Sequence, residues 1–140
     1  MLPLVDAAQL KSTCLAQPGS FEDFPFGTET SVFKVCAPIS GEFRHESKVF
    51  ALSNLAEHPL AVSLKCDPVL AEQLRRAHPE ITGAYHLNKK HWNSVLCDAG
   101  LPDAMVLDLI QDSYDLVTAK LSAVQREALN WPGTGAGGRQ

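Results

Sequence analysis

Between Gly83 and Ser94 the chain reads Gly-Ala-Tyr-His-Leu-Asn-Lys-Lys-His-Trp-Asn-Ser. Two lysines, two histidines, two asparagines, a tyrosine and a tryptophan share twelve positions, and no carboxylate interrupts them. Three chemistries fit such a set. In the first, Lys89 and Lys90 neutralise phosphates while Tyr85, His86 or Trp92 present stacking faces, and Asn88, His91 and Asn93 add hydrogen bonds. In the second, His86 or His91 acts as a general base beside an anion held by lysine, because imidazole titrates near about pH 6.5. In the third the stretch is architectural: Trp92 and Tyr85 fill the core, His86 and Asn88 satisfy loop backbone groups, and the lysines face water.

The local charge stands against an acidic body. Residues 1–82 carry seven basic and ten acidic side chains, and residues 95–140 carry three and six. The whole chain of 140 residues has a formal net charge of -4. That excludes nucleic-acid binding by bulk charge and leaves binding by a focused patch. Arg75 and Arg76, which stand just upstream of the loop with His78, and Lys65, which closes a predicted strand, are candidates for further phosphate contacts. With two to four phosphate contacts, any binding of DNA is expected to be weak and salt-sensitive.

Other chemistries find little support. Cys14, Cys36, Cys66 and Cys97 are widely spaced with no Cys-x-x-Cys, so neither a zinc site nor a disulfide framework is expected. A phosphate-cradling Gly-rich loop, a Gly-x-Ser-x-Gly elbow and a His-Glu-x-x-His motif are all missing from the sequence. We therefore expect no catalytic residue, no metal and no cofactor. The start, Met1-Leu2-Pro3-Leu4-Val5-Asp6, lacks the basic region and the apolar run of about 7–15 residues of a signal peptide. Nor does any stretch reach the roughly 18 apolar residues needed to span a bilayer. A cytoplasmic protein that makes no membrane contact is the expectation.

The elements that must position the loop follow from periodicity. Leu4 to Gln17 reads as a helix with Leu4, Ala7, Ala8, Leu10, Cys14 and Leu15 as its apolar stripe, ended by Pro18-Gly19. Ser31–Cys36, Lys48–Ser53, Ala61–Cys66 and His91–Cys97 read as strands, and Phe21–Phe26 as an irregular edge strand, since Pro25 cannot donate to a ladder. Asp67-Pro68 opens a helix that turns Leu70, Ala71 and Leu74 inward. Pro102-Asp103 opens the longest helix, with Met105, Val106, Leu109, Ile110, Ser113 and Val117 on one face. A short helix is predicted over Ser122–Leu129. Alternation puts Ser63 and Lys65 on one face of their strand and Val62 and Leu64 on the other. Strand lysines such as Lys34 are expected to be solvated. Asp23 is expected to make a structural contact, and Tyr114 to pack in the core. This order predicts an α+β, two-layer domain over residues 1–129, an antiparallel sheet with helices packed mainly on one face. Residues 130–140 are expected to form a Gly-rich disordered tail.

The chain resembles the MmcQ/YjbR family. The resemblance rests on Glu22-Asp-Phe-Pro-Phe-Gly27, Val32-Phe-Lys-Val35, Lys48-Val-Phe-Ala51, Val62-Ser-Leu-Lys65, Tyr85-His-Leu-Asn-Lys-Lys-His-Trp92 and Asp112-Ser-Tyr-Asp-Leu-Val117. It implies a compact α+β fold likened to CyaY and to secretion chaperones, and a DNA-binding role attributed to a double-wing shape. Two departures stand out. Cys36–Ser47, which carries Arg44 and His45, replaces a very tight turn, and Gly83-Ala84 stands where the family often has Pro-Gly. A positive φ at position 84 would disfavour alanine. The sequence leaves an alternative open: a protein- or small-anion-binding adaptor with a pocket lined by His, Lys and Asn. An enzyme using His86 or His91 is the third reading.

Overall fold

Ten elements follow one another among the described residues. The computed structural model describes residues 5–37, 47–84 and 87–131. They are α1 (Ala7–Leu15), β1 (Ser20–Asp23), β2 (Ser31–Val35), β3 (Lys48–Ser53), β4 (Ala61–Lys65), α2 (Pro68–Ala77), β5 (Ile81–Gly83), β6 (Trp92–Leu96), α3 (Asp103–Thr118) and α4 (Ala123–Ala128). The six strands form one sheet in the order β1-β2-β3-β4-β6-β5, with every pair antiparallel. Helices cover one face of it, as the sequence predicts.

Capping chemistry sets the helix starts. The Asp6 carboxylate accepts from Gln9 N at 2.8 Å, and Asp67 accepts from Val69 N and Leu70 N at 3.2 and 3.3 Å. Under the sheet, Leu10 and Cys14 of α1 and Val106, Ile110, Tyr114 and Val117 of α3 meet Phe33, Phe50, Val62, Leu64 and Val95 in one core. Leu15 and Leu70 depart from their predicted inward placing, each 39% exposed. Both helices are short and flank the core, so a narrow stripe suffices to bury them.

Three further differences have local causes. β1 ends at Asp23, before Pro25, because the Asp23 carboxylate accepts from Phe24 N at 2.9 Å and turns the chain. Lys34 is not solvated: β2 lies inside the sheet, and the Lys34 ammonium donates to Asp23 at 2.8 Å. That hydrogen bond, helped by the Phe24 amide, holds the Asp23 carboxyl below its ordinary range. Finally, Asn130 and Trp131 fall in the expected tail, yet Trp131 packs against the core and its indole donates to Asp115 at 3.2 Å. Residues 132–140 lie outside the described residues.

A β-bulge governs the centre of the sheet. Phe33 pairs with Ala51 and Lys34 with Val49, so Phe50 is the extra residue on β3. Phe50 and Ala51 are consecutive, yet both are fully buried. The Ser113 hydroxyl of α3 donates to Phe50 O at 2.6 Å and accepts from Lys65 N at 2.9 Å, bridging β3 and β4 where their ladder stops. Next to it, the Tyr114 ring meets Phe50 edge-on at 5.3 Å, and its hydroxyl donates to Pro18 O at 2.6 Å.

Candidate functional site

The loop joining β5 to β6 is organised by Asn88. Its side-chain oxygen accepts from Lys90 N at 3.0 Å, while its carbonyl accepts from His91 N and Trp92 N at 3.0 and 2.9 Å. This Asx turn closes the hairpin. Ala84 N donates to Trp92 O at 3.2 Å, and Ala84 is buried without a positive φ, so the alanine is accommodated. Tyr85 and His86 lie outside the described residues, as do residues 38–46 with Arg44 and His45.

α2 clamps this loop through Arg75. Its guanidinium donates to Asn93 Oδ1 at 2.7 Å and to the Lys89 carbonyl at 3.1 Å. Asn93 is buried on the helix-covered face and donates to Ala71 O at 3.4 Å. The stem of Lys89 crosses Gly83 so closely that a Cβ there would stand 3.2 Å from its Cγ and Cδ. A side chain at position 83 would push the Lys89 stem aside by a few tenths of an ångström.

On the open face of the sheet, Lys65 pairs directly with Trp92 across β4 and β6. Lys90 is exposed. So is Arg76, which sits 3.6 Å from Glu72 one turn back on α2. His91 is half-buried, and its carbonyl accepts from Cys66 N at 2.7 Å. Lys65, Lys89, Lys90, Arg75 and Trp92 are thus brought together around the 88–93 segment, with Arg76 next to Arg75 on α2. Asn93 uses both polar atoms of its amide within the site, and Asn88 and Arg75 each use part of theirs to build it.

Sequence reasoning missed a second feature. A cavity of about 570 Å³ opens on the same uncovered face, floored by Leu52, Ala61, Ser63, Ser94 and Thr82 and walled by Leu87 and Phe26. The signal was present in the alternation that faces Ser63 away from the core. β5, only three residues long, had no readable period, so Thr82 could not be placed.

The thiols of Cys14, Cys66 and Cys97 are kept neutral. Burial pushes Cys14 and Cys97 up to about 12, and Cys66 up to about 11 with Asp67 and Asp112 adding to the effect. At pH 8 a thiol near 12 has a thiolate fraction roughly a thousandfold below that of one at its ordinary value. Cys14 and Cys97 are therefore expected to resist a disulfide reagent until the protein unfolds; rapid native labelling of all four thiols would contradict this burial. Folded values above the unfolded ones give full stabilisation below about pH 8.5, lost as pH rises towards 11 to 12. The urea midpoint should thus fall between pH 8 and 10.5, less steeply in a Cys14→Ala/Cys97→Ala variant.

No helix among the described residues is long and apolar enough to cross a membrane. A family model described as YjbR matches residues 15–116. The chain is 33% identical over 122 residues to the uncharacterised protein YjbR of Escherichia coli K12, covering 87% of this chain and 95% of that one. It is 35% identical over 99 residues to YbdF of Escherichia coli O157:H7, covering 71% and 73%. Among solved structures, Deinococcus radiodurans DR2400, of family-model domain DUF419, superposes with a TM-score of 0.81 at 40% identity over 94% of each chain. A Pseudomonas syringae protein gives 0.61 at 27% identity, over 79% of this chain and 97% of that one. The loop around Trp92, the strands β5 and β6 that it joins and the helix α2 that clamps it all lie inside the matched residues, and the chain belongs to the YjbR family.

Proposed function

We propose that this chain is a non-catalytic, cytoplasmic binding protein that holds nucleic acid weakly through its phosphates. The site is the end of the sheet where Lys65 stands opposite Trp92 and the adjoining loop carries Lys89 and Lys90, with Arg76 exposed on α2. One observation carries the reading: Arg75 ties the backbone of the lysine loop to α2, so the cations ride on a fixed frame beside an aromatic ring. Asn88, Asn93 and Arg75 then serve as positioning residues. Buried, neutral thiols are poor nucleophiles, which supports a binding role over thiol chemistry. The small-anion alternative gains no support from the open-face cavity, whose lining among the described residues includes Glu57 and no basic side chain.

A fluorescence-anisotropy salt titration with single- and double-stranded oligonucleotides tests the proposal. The wild type should lose affinity with a log–log slope of about -2 to -4. Lys89→Glu/Lys90→Glu should reduce that slope by about two and weaken binding at least about tenfold at low salt. Affinity no tighter than millimolar at low salt, or an unchanged slope in the variant, would overturn it.

A further inference from the structure

We infer that the open face of the sheet holds a second site, for a small molecule carrying an ammonium group on an apolar body. The inference is independent of nucleic-acid binding and starts from the register. Leu52 pairs with Ser63, Ser63 with Ser94 and Ser94 with Thr82, so one apolar and three hydroxyl side chains form a row across β3, β4, β6 and β5. Neighbouring strands stand about 4.8 Å apart, which spaces the hydroxyls for successive contacts along one ligand. None of the three hydroxyls is hydrogen-bonded within the described residues. Above this row the cavity of about 570 Å³ falls in the size range of small-molecule sites. Leu87 closes one side. Phe26, 71% exposed, closes another and has apolar area to gain by covering an apolar body.

Charge decides the class of ligand. A cleft of about 420 Å³ adjoins the cavity, sharing Asn54 and Glu57 with it and adding Glu29, Thr28 and Ser31. Among the described residues, neither cleft nor cavity is lined by a lysine, arginine or histidine. Elsewhere Glu22, Asp23 and Glu72 are ion-paired, whereas Glu29 and Glu57 have no such partner among the described residues. The complement is therefore a cation at the Glu29/Glu57 end and an apolar body over Leu52 and Ala61. An anion would meet two carboxylates and, among the described residues, no counter-charge.

Phenethylamine, its neutral analogue 2-phenylethanol and the anion 3-phenylpropanoate probe this directly by two-dimensional NMR titration of the full chain. The amides of Ser63, Thr82 and Ser94 should shift, with the amine about two- to fivefold tighter than the alcohol, the effect of an exposed ion pair. The carboxylate should be weakest. Glu57→Gln should erase most of the advantage of amine over alcohol, and Thr82→Leu, at an exposed position, should block both while leaving the remaining spectrum intact. Equal or tighter binding of the carboxylate, absence of shifts with the amine, shifts mapping elsewhere, or undiminished binding in Thr82→Leu would each overturn the inference. Lys89→Glu/Lys90→Glu should leave amine binding undiminished, so this site and the nucleic-acid reading stand or fall separately.

Discussion

Phe50→Ala is expected to lower the unfolding free energy by about 3–5 kcal/mol, the range for emptying a buried aromatic site. The large effect follows from the bulge. An extra residue on β3 would normally be turned aside, but here it is fully buried and meets Tyr114 edge-on at 5.3 Å. The cavity left by truncation would face Tyr114, whose hydroxyl is fixed on Pro18 O and limits collapse. Urea denaturation of wild type and variant measures the loss, and Phe50→Leu should recover more than half of it. A loss below about 1.5 kcal/mol would mean that Phe50 does not fill the core as described.

Ser113→Ala is the second large effect, at about 2–4 kcal/mol. A serine in mid-helix is ordinarily replaceable, but this hydroxyl serves two backbone groups that belong to different strands. Its removal leaves Phe50 O and Lys65 N without their partner, and each unsatisfied buried group costs about 1–3 kcal/mol. Hydrogen exchange at the Lys65 amide should accelerate far beyond the change at Val62, which sits in the intact β4–β6 ladder. Because Lys65 stands opposite Trp92, the proposed nucleic-acid site should loosen as well. A loss under about 1 kcal/mol, with Lys65 exchange unchanged, would show that the bridge carries no weight.

Much of this architecture was legible from local rules. Asp67-Pro68 announced α2 because a carboxylate and a proline suit the first turn for reasons confined to that turn. The alternation in Ala61–Lys65 announced which side chains of β4 face the helices. Lys89, Lys90 and Trp92 declared themselves by type and by the absence of carboxylates around them. Other features had no local signature. Lys34 reads as a solvated strand lysine until β1 brings Asp23 beside it. Ser113 reads as one more residue on the buried face of α3 until β3 and β4 part beneath it. Arg75 and Asn93 read as ligand contacts, and no local signal shows that they also bond to each other where α2 returns across β6.

The sequence by itself determined the family, the α+β class, the starts of α2 and α3 and the place of a carboxylate-free loop with two adjacent lysines in an acidic chain. Each of those is written in residue type and in spacings of a few positions. Only the tertiary structure decided which polar residues of that loop face outward, that Phe50 bulges into the core, and that Ser63, Ser94 and Thr82 align above a cavity with Glu57 at its rim. The reason is physical: strand order, register and bulges are set by contacts between residues far apart in the chain, and no window of neighbouring residues contains them.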